Sequence, residues 1–206
     1  MKKRYTPQEK QLITTLNTPQ KVQVYLDKLP YNWEKNGDTI LSFREVVAQQ
    51  KAHCLEAVFF AAAVLEKHGY PPLVLDLESI DYLDHCLFLY QEKGLFGAIG
   101  VSRERELYGK KASFSSVKDL VMSYYDDYID YTACIKGYAV VNLDSIPYAN
   151  WRFSKRNLWK IQNYLSVFPH KQINIPHAHF EHVKQKYLRD MKAQMVWSKI
   201  LKEIAS

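Results

Sequence analysis

The sequence predicts an α+β fold: a central cysteine-bearing helix packed on a small antiparallel sheet, with further helices before and after it. Three observations carry this. From Cys54 to Leu65 the chain is apolar on most of a helical circumference, which places that helix in the interior. After Pro71-Pro72 the pattern changes from helical spacing to the short apolar or alternating runs 73–78 and 85–90, which read as strands. Finally, 206 residues that are 47% apolar and 24% charged, with 7 Gly and 8 Pro, suffice for a sizeable core and exclude a disordered or collagen-like chain.

Each element has its own signal. Thr6-Pro7-Gln8-Glu9 joins an N-cap, a proline at the first helical position and a carboxylate three residues on, which opens a helix to about Leu16. Thr18-Pro19 repeats that start, and Val22, Tyr25, Leu26 and Leu29 continue one face until Pro30 stops it. Residues 30–39, rich in Asn, Gly and Asp, read as loop. Ser42-Phe43-Arg44-Glu45 opens a helix to about Gln50, and the central helix follows from Cys54, with Gly69 suited to its end. Gln91 to Gly94 is a turn, and Leu95 to Val101 is the returning strand of a hairpin. Beyond the charged loop 102–111, Ser115 or Ser116 caps a helix to about Tyr125, followed by the acidic aromatic tract Asp126 to Tyr131. Gly137 to Leu143 is the last strand expected. Ser154 is expected to cap a helix through Leu158, Ile161 and Leu165, and Phe180, Val183, Tyr187, Met191 and Ile200 mark a long closing helix. No low-complexity linker divides the chain, so residues 1–206 are expected to form a single domain with its core at 42–102.

Charge and cysteine usage narrow the function classes. Residues 151–206 hold 11 Lys/Arg against 3 Asp/Glu, while the rest holds 17 against 19, so the formal net charge of +6 is a property of the C-terminal helical region. Those charges alternate with apolar residues at helical spacing, as on a solvated helix face. The longest apolar run, Ala57 to Leu65, is far short of the roughly 20 residues that cross a bilayer. The basic start Met1-Lys2-Lys3-Arg4 is followed by no apolar signal-peptide segment. Three cysteines, an odd number, suit a reducing compartment, and the expected location is the cytoplasm.

The most informative constellation is Lys51-Ala52-His53-Cys54-Leu55-Glu56 with Asp84-His85-Cys86. A thiol attacks only as thiolate, and a helix N-terminus favours that anion through its free N–H groups and partial positive charge. Cys54 heads the buried helix. His85 opens a strand able to lie beside it and to hold or take the thiol proton. His53 is a neighbour placed to act on the substrate side, and Gln50, or Gln49, is a candidate oxyanion donor. Cys86 faces away from His85 on its strand, as core filling, and Cys134 carries no motif. Arg103 is suited to an anionic substrate group. His179 and His182, with His177 and Glu181 nearby, are spaced to share a metal, but no convincing ligand set is completed, so neither metal nor cofactor is expected.

A Cys at the head of a buried helix, a His at the start of a following strand and an antiparallel return strand together resemble the transglutaminase-like branch of the papain-like cysteine enzymes, over about residues 42–102. The resemblance implies a papain-like/transglutaminase-like core in which Cys54 attacks an acyl group and His85 serves as acid and base. It also implies an Asp on the next strand to orient the imidazole, but this chain reads Gly97-Ala98-Ile99-Gly100-Val101-Ser102 there. Ser102 is the candidate in its place, with Asp84, Asp81 and Glu78 as carboxylates nearby in sequence. The function expected is cysteine-dependent acyl transfer, as an amide hydrolase or acyltransferase, on a peptide or a small amide or acyl compound. The alternative is an inactive binding module of the same fold whose basic C-terminal helices contact nucleic acid or an acidic partner.

Overall fold

The computed structural model describes residues 4–130 and 133–204. Met1-Lys2-Lys3, Tyr131 and the side chain of Ile200, named above, lie outside the described residues. The order is α1 (Pro7–Thr15), α2 (Pro19–Leu26), α3 (Phe43–Gln49), α4 (Cys54–Leu65), β1 (Leu73–Ser79), β2 (His85–Glu92), β3 (Leu95–Ile99), α5 (Val117–Tyr128), β4 (Ile135–Asn142), α6 (Trp159–Val167), β5 (Lys171–Gln172) and α7 (His177–Ile204). The fold is α+β. The sheet runs β3-β2-β1-β4-β5 with every neighbouring pair antiparallel, so β1 is its centre and β4 returns to pair on the side of β1 away from the hairpin.

Alternation along the strands divides the core in two. Val74, Cys86, Phe88 and Tyr90 point to the face covered by α4, and with α1, α2, α3 and α6 they enclose it. Leu75, Leu77, Leu87 and Leu89 point to the opposite face, covered by Leu120, Val121 and Tyr124 of α5 and by Val183 of α7. Every residue of α4 after Cys54 is buried, and large side chains such as Phe59 and Phe60 each contribute about 1.5–3 kcal/mol of transfer free energy. The helix starts are local: Thr6, Thr18, Ser42 and Ser116 each accept a backbone N–H from the first turn that follows.

Helix α2, expected to continue through Leu29, ends at Leu26 and passes into a turn, and three further elements depart from expectation. Ser154 does not cap α6, which starts at Trp159. The Asn157 side chain accepts the Ile40 N–H and Leu158 N–H donates to the Ile40 carbonyl, and these bonds tie residues 157–158 to Ile40 ahead of the helix start. Helix α5 runs three residues further, because Tyr124, Tyr125 and Tyr128 share a buried face. The two-residue β5, which the sequence did not announce, extends the sheet beside β4.

Candidate active site

The head of α4 is fixed by a ring of hydrogen bonds. Ala52 pairs with the segment Pro30 to Asn32: its N–H donates to the Pro30 carbonyl and its own carbonyl accepts from Asn32 N–H. His53 is the N-cap. Its Nδ1 accepts the Leu55 N–H at 3.2 Å, while Glu56 reaches back to accept the His53 N–H at 2.9 Å, a capping box with histidine in the role usually taken by Ser or Thr. The Glu56 carboxylate is fully buried and also accepts from Asn32 Nδ2, Thr39 Oγ1 and Leu41 N–H. The stretch 30–39 is therefore loop in form but a collar in function, clamped to the helix start through that carboxylate.

Cys54 occupies the first position of the helix, as the sequence predicts, and is half-buried on a cleft of about 1270 Å³. His85 opens β2 and lines the same cleft. Its Nε2 lies 2.9 Å from the Leu107 carbonyl, which fixes that nitrogen as the donor and leaves Nδ1 as the proton-accepting atom. The imidazole is thus oriented by a backbone carbonyl. The Ser102 hydroxyl expected in that place lines the cleft but accepts the Glu104 N–H at 3.3 Å. Asp84 and Asp81 are turned to Ser79, accepting from its N–H and its hydroxyl respectively, and Glu78 faces Lys136 and Gln172. At Gly100 a Cβ would lie 2.4 Å from Leu87 Cδ2, so a side chain there requires the Leu87 methyl to move aside.

His53 Nδ1 stands 4.0 Å from Cys54 Sγ. Burial alone would raise the thiol, but hydrogen bonding from His53 and then from His85, with the charge both rings carry when protonated, holds Cys54 well below the usual thiol range. Burial would correspondingly lower His53, yet its partnership with Cys54, with Glu56 and with the Thr39 carbonyl raises it to about 9. Cys86 is the opposite case: burial and the adjacent Asp76, whose Oδ1 accepts its S–H at 3.3 Å, push that thiol well above its ordinary value. Cys86 fills the core as expected and also serves as a hydrogen-bond donor there.

Of the remaining candidates, Arg103 lines the cleft together with Tyr31 and lies 5.8 Å from the centre of the Trp33 ring. Gln50 is not brought to Cys54. It ends α3 in the left-handed conformation, φ +52°, which directs its amide to the Val47 carbonyl and the Tyr25 hydroxyl, away from the cleft. His179 and His182 line the far wall of the cleft on α7, where His179 pairs with Asp126 at 2.8 Å, and no group of three or more His, Cys, Asp or Glu is arranged to hold a metal among the described residues. Glu56 stands in the sequence constellation without a role, and Thr39 and Leu107 escaped sequence reasoning. The first had a signal, the spacing His53-x-x-Glu56, whereas a carbonyl has none because every residue carries one.

The family model described as Vasohibin matches residues 44–192, well over half of the chain and including all of α4, the hairpin and most of the cleft wall. The chain belongs to the vasohibin family. Vasohibins have a transglutaminase-like, cysteine-protease-type fold, which agrees with a cysteine-headed helix on a small antiparallel sheet. No curated protein matches the chain beyond this family relationship. In this vasohibin-family chain no described helix is long and apolar enough to cross a membrane.

Proposed function

We propose that this protein is a cysteine-dependent acyl-transfer enzyme, an amide hydrolase or acyltransferase that works through a thioester on Cys54. One observation supports the reading above the others: a thiol at a helix N-terminus, open to a cleft and flanked by imidazoles that favour its thiolate. In the proposed reaction the thiol proton passes to His85 Nδ1 and the sulfur attacks the acyl carbon, whose π electrons move to oxygen. The Cys54 backbone N–H at the helix start faces that oxygen. Collapse breaks the bond to the leaving amine, which takes the proton from His85. Water or an amine then gives its proton to His85, attacks the thioester and expels the thiolate.

The substrate in this reading is a peptide or a small amide or acyl compound, with Arg103 holding an anionic group on it by its guanidinium fork. The three free cysteines suit a reducing compartment, so we place the protein in the cytoplasm. The test uses p-nitrophenyl acetate as acyl donor and mass spectrometry to locate the acetyl group at about pH 6. Acetylation at Cys54 ahead of Cys86 and Cys134, released by water or hydroxylamine and lost in Cys54→Ala, is expected. Equal labelling of the three cysteines overturns the reading. Salt-sensitive nucleic-acid binding that Cys54→Ala leaves intact would favour the binding-module alternative, its contact being the basic, exposed face of α7.

A further inference from the structure

The carboxylate that His85 lacks is present behind the other imidazole. Glu56 Oε1 lies 3.4 Å from His53 Nε2, and His53 Nδ1 lies 4.0 Å from Cys54 Sγ, so acid, imidazole and thiol stand in line within four consecutive positions of the chain. His53 Nε2 is held further by the Thr39 carbonyl at 3.0 Å, which fixes the ring and leaves Nδ1 towards the helix start. Cys54 therefore shares its cleft with two imidazoles, His53 with Nδ1 4.0 Å from the sulfur and His85 with Nε2 bound to a carbonyl and Nδ1 left to accept. One is anchored by the Leu107 carbonyl and the other by the Thr39 carbonyl and a fully buried carboxylate.

We propose that His53, backed by Glu56, is a second proton acceptor and counter-charge for the Cys54 thiolate, which leaves His85 free to serve the leaving group and the attacking nucleophile. This inference rests on the acyl-transfer reading. While neutral, His53 caps α4 by accepting the Leu55 N–H. When it takes the thiol proton on Nδ1, it exchanges that bond for an N–H donated to the sulfur, and Glu56 offsets the imidazolium charge. An imidazolium beside a carboxylate is better stabilised than one beside a carbonyl, so the His53 side is the stronger store of the proton. The rest of the surroundings is charged but set back. Glu34 Oε1 is 4.0 Å from His53 Nε2, Tyr31 and Tyr128 flank the thiol as phenols raised by burial, Arg103 approaches from the charged loop, and the Cys86 thiol and Asp76 lie beneath, on the sheet.

The experiment is the pH profile of iodoacetamide alkylation, read at each cysteine by mass spectrometry, in the whole chain. His53→Asn keeps an N-cap acceptor for α4 but removes the titrating nitrogen, so it separates capping from proton storage. Each unit by which the thiol pKa rises lowers its alkylation at mildly acidic pH by about tenfold. His53→Asn is expected to lower the Cys54 rate at about pH 6 by roughly that factor. His85→Ala is expected to keep a rate well above that of the double variant while losing acyl transfer. A wild-type profile in His53→Asn shows that the residue only caps, and overturns the proposal. So does an His85→Ala rate equal to that of the double variant, which would make His85 the sole partner and leave the acyl-transfer reading standing. A wild-type Cys54 no faster than Cys134 overturns both. The expected profile without acetylation by p-nitrophenyl acetate supports the His53 pairing and defeats acyl transfer alone.

Discussion

Helices α4 and α7 form parts of the same cleft and are built on opposite terms. Behind Cys54, α4 is buried on every side, between the sheet and α1, α2 and α3, and its one carboxylate is enclosed by hydrogen bonds. Although α7 runs for 28 residues, Val183 is its only buried residue among those whose side chains are described. It faces the cleft along a helical stripe of His179, His182, Val183, Lys186, Tyr187, Asp190 and Gln194. The wall that carries the thiol cannot shift without disturbing the core, whereas the facing wall is held by few apolar contacts and an exposed hydrogen bond between His179 and Asp126. Pre-organisation is concentrated around the thiol and its imidazoles, and the facing side of the cleft is left lightly anchored.

The largest expected effect breaks the rigid wall. The Phe60 ring is fully buried, stacked on Tyr25 at 4.9 Å and tilted against Phe43 at 5.5 Å. Phe60→Ala should cost about 3–5 kcal/mol in denaturant unfolding, because the hole is bounded by helices that cannot collapse into it. Val183→Ala on α7 should cost about 1 kcal/mol or less, since that site borders the open cleft. Equal losses for the two substitutions would refute the contrast and make α7 part of the same cooperative core.

A smaller effect sharpens the account of the site. Ser102→Ala should leave Cys54 alkylation and acetylation within about twofold of wild type, because the His85 ring is held by the Leu107 carbonyl and the Ser102 hydroxyl is turned to Glu104 N–H. Ser102→Asp should bring no gain, for the same reason. A loss above about tenfold in Ser102→Ala would return the orienting role to the hydroxyl.

These contrasts follow what a sequence can and cannot express. Helix α4 was legible because an apolar circumference has one solution, burial, and Cys54 was legible at its head because Gln50 and Lys51 break the preceding pattern. The hairpin and its leading His85 followed from alternation between turn residues. The orientation of His85 was hidden, since the Leu107 carbonyl acts through where the chain passes. Gln50 misled for a related reason: its residue type suits an oxyanion donor, but the left-handed turn at the end of α3 points it elsewhere. The start of α6 was missed because Ser154 is a competent cap in isolation, and the bonds between Ile40 and residues 157–158 outweigh it. At His85 and at the start of α6 the deciding partner is distant in sequence, whereas at Gln50 it is the turn itself and the nearby Val47 carbonyl.

The smallest effect concerns the connection between the two regions. His170, on the segment between α6 and β5, bonds the buried Asp76 of β1 through Nε2 at 3.1 Å, and Asp76 in turn accepts from Cys86 beneath the α4 face. The hydrogen bond to Asp76 raises the His170 pKa above its ordinary 6.5, against burial and with further help from Asp76, Glu78 and the Phe168 carbonyl. Because the folded state binds this proton more tightly than the unfolded chain, the pair's contribution is complete below about pH 6.5 and is lost as pH rises through the elevated folded value. Thermal unfolding at about pH 6 and pH 8 should therefore show wild type ahead of His170→Asn at the lower pH, with the gap narrowing at the higher. Taking the difference between the two proteins cancels the parallel contribution of His53. A gap that stays constant would mean that His170 stabilises the fold as a neutral hydrogen-bond donor, and that the segment leading to α7 is held independently of its charge.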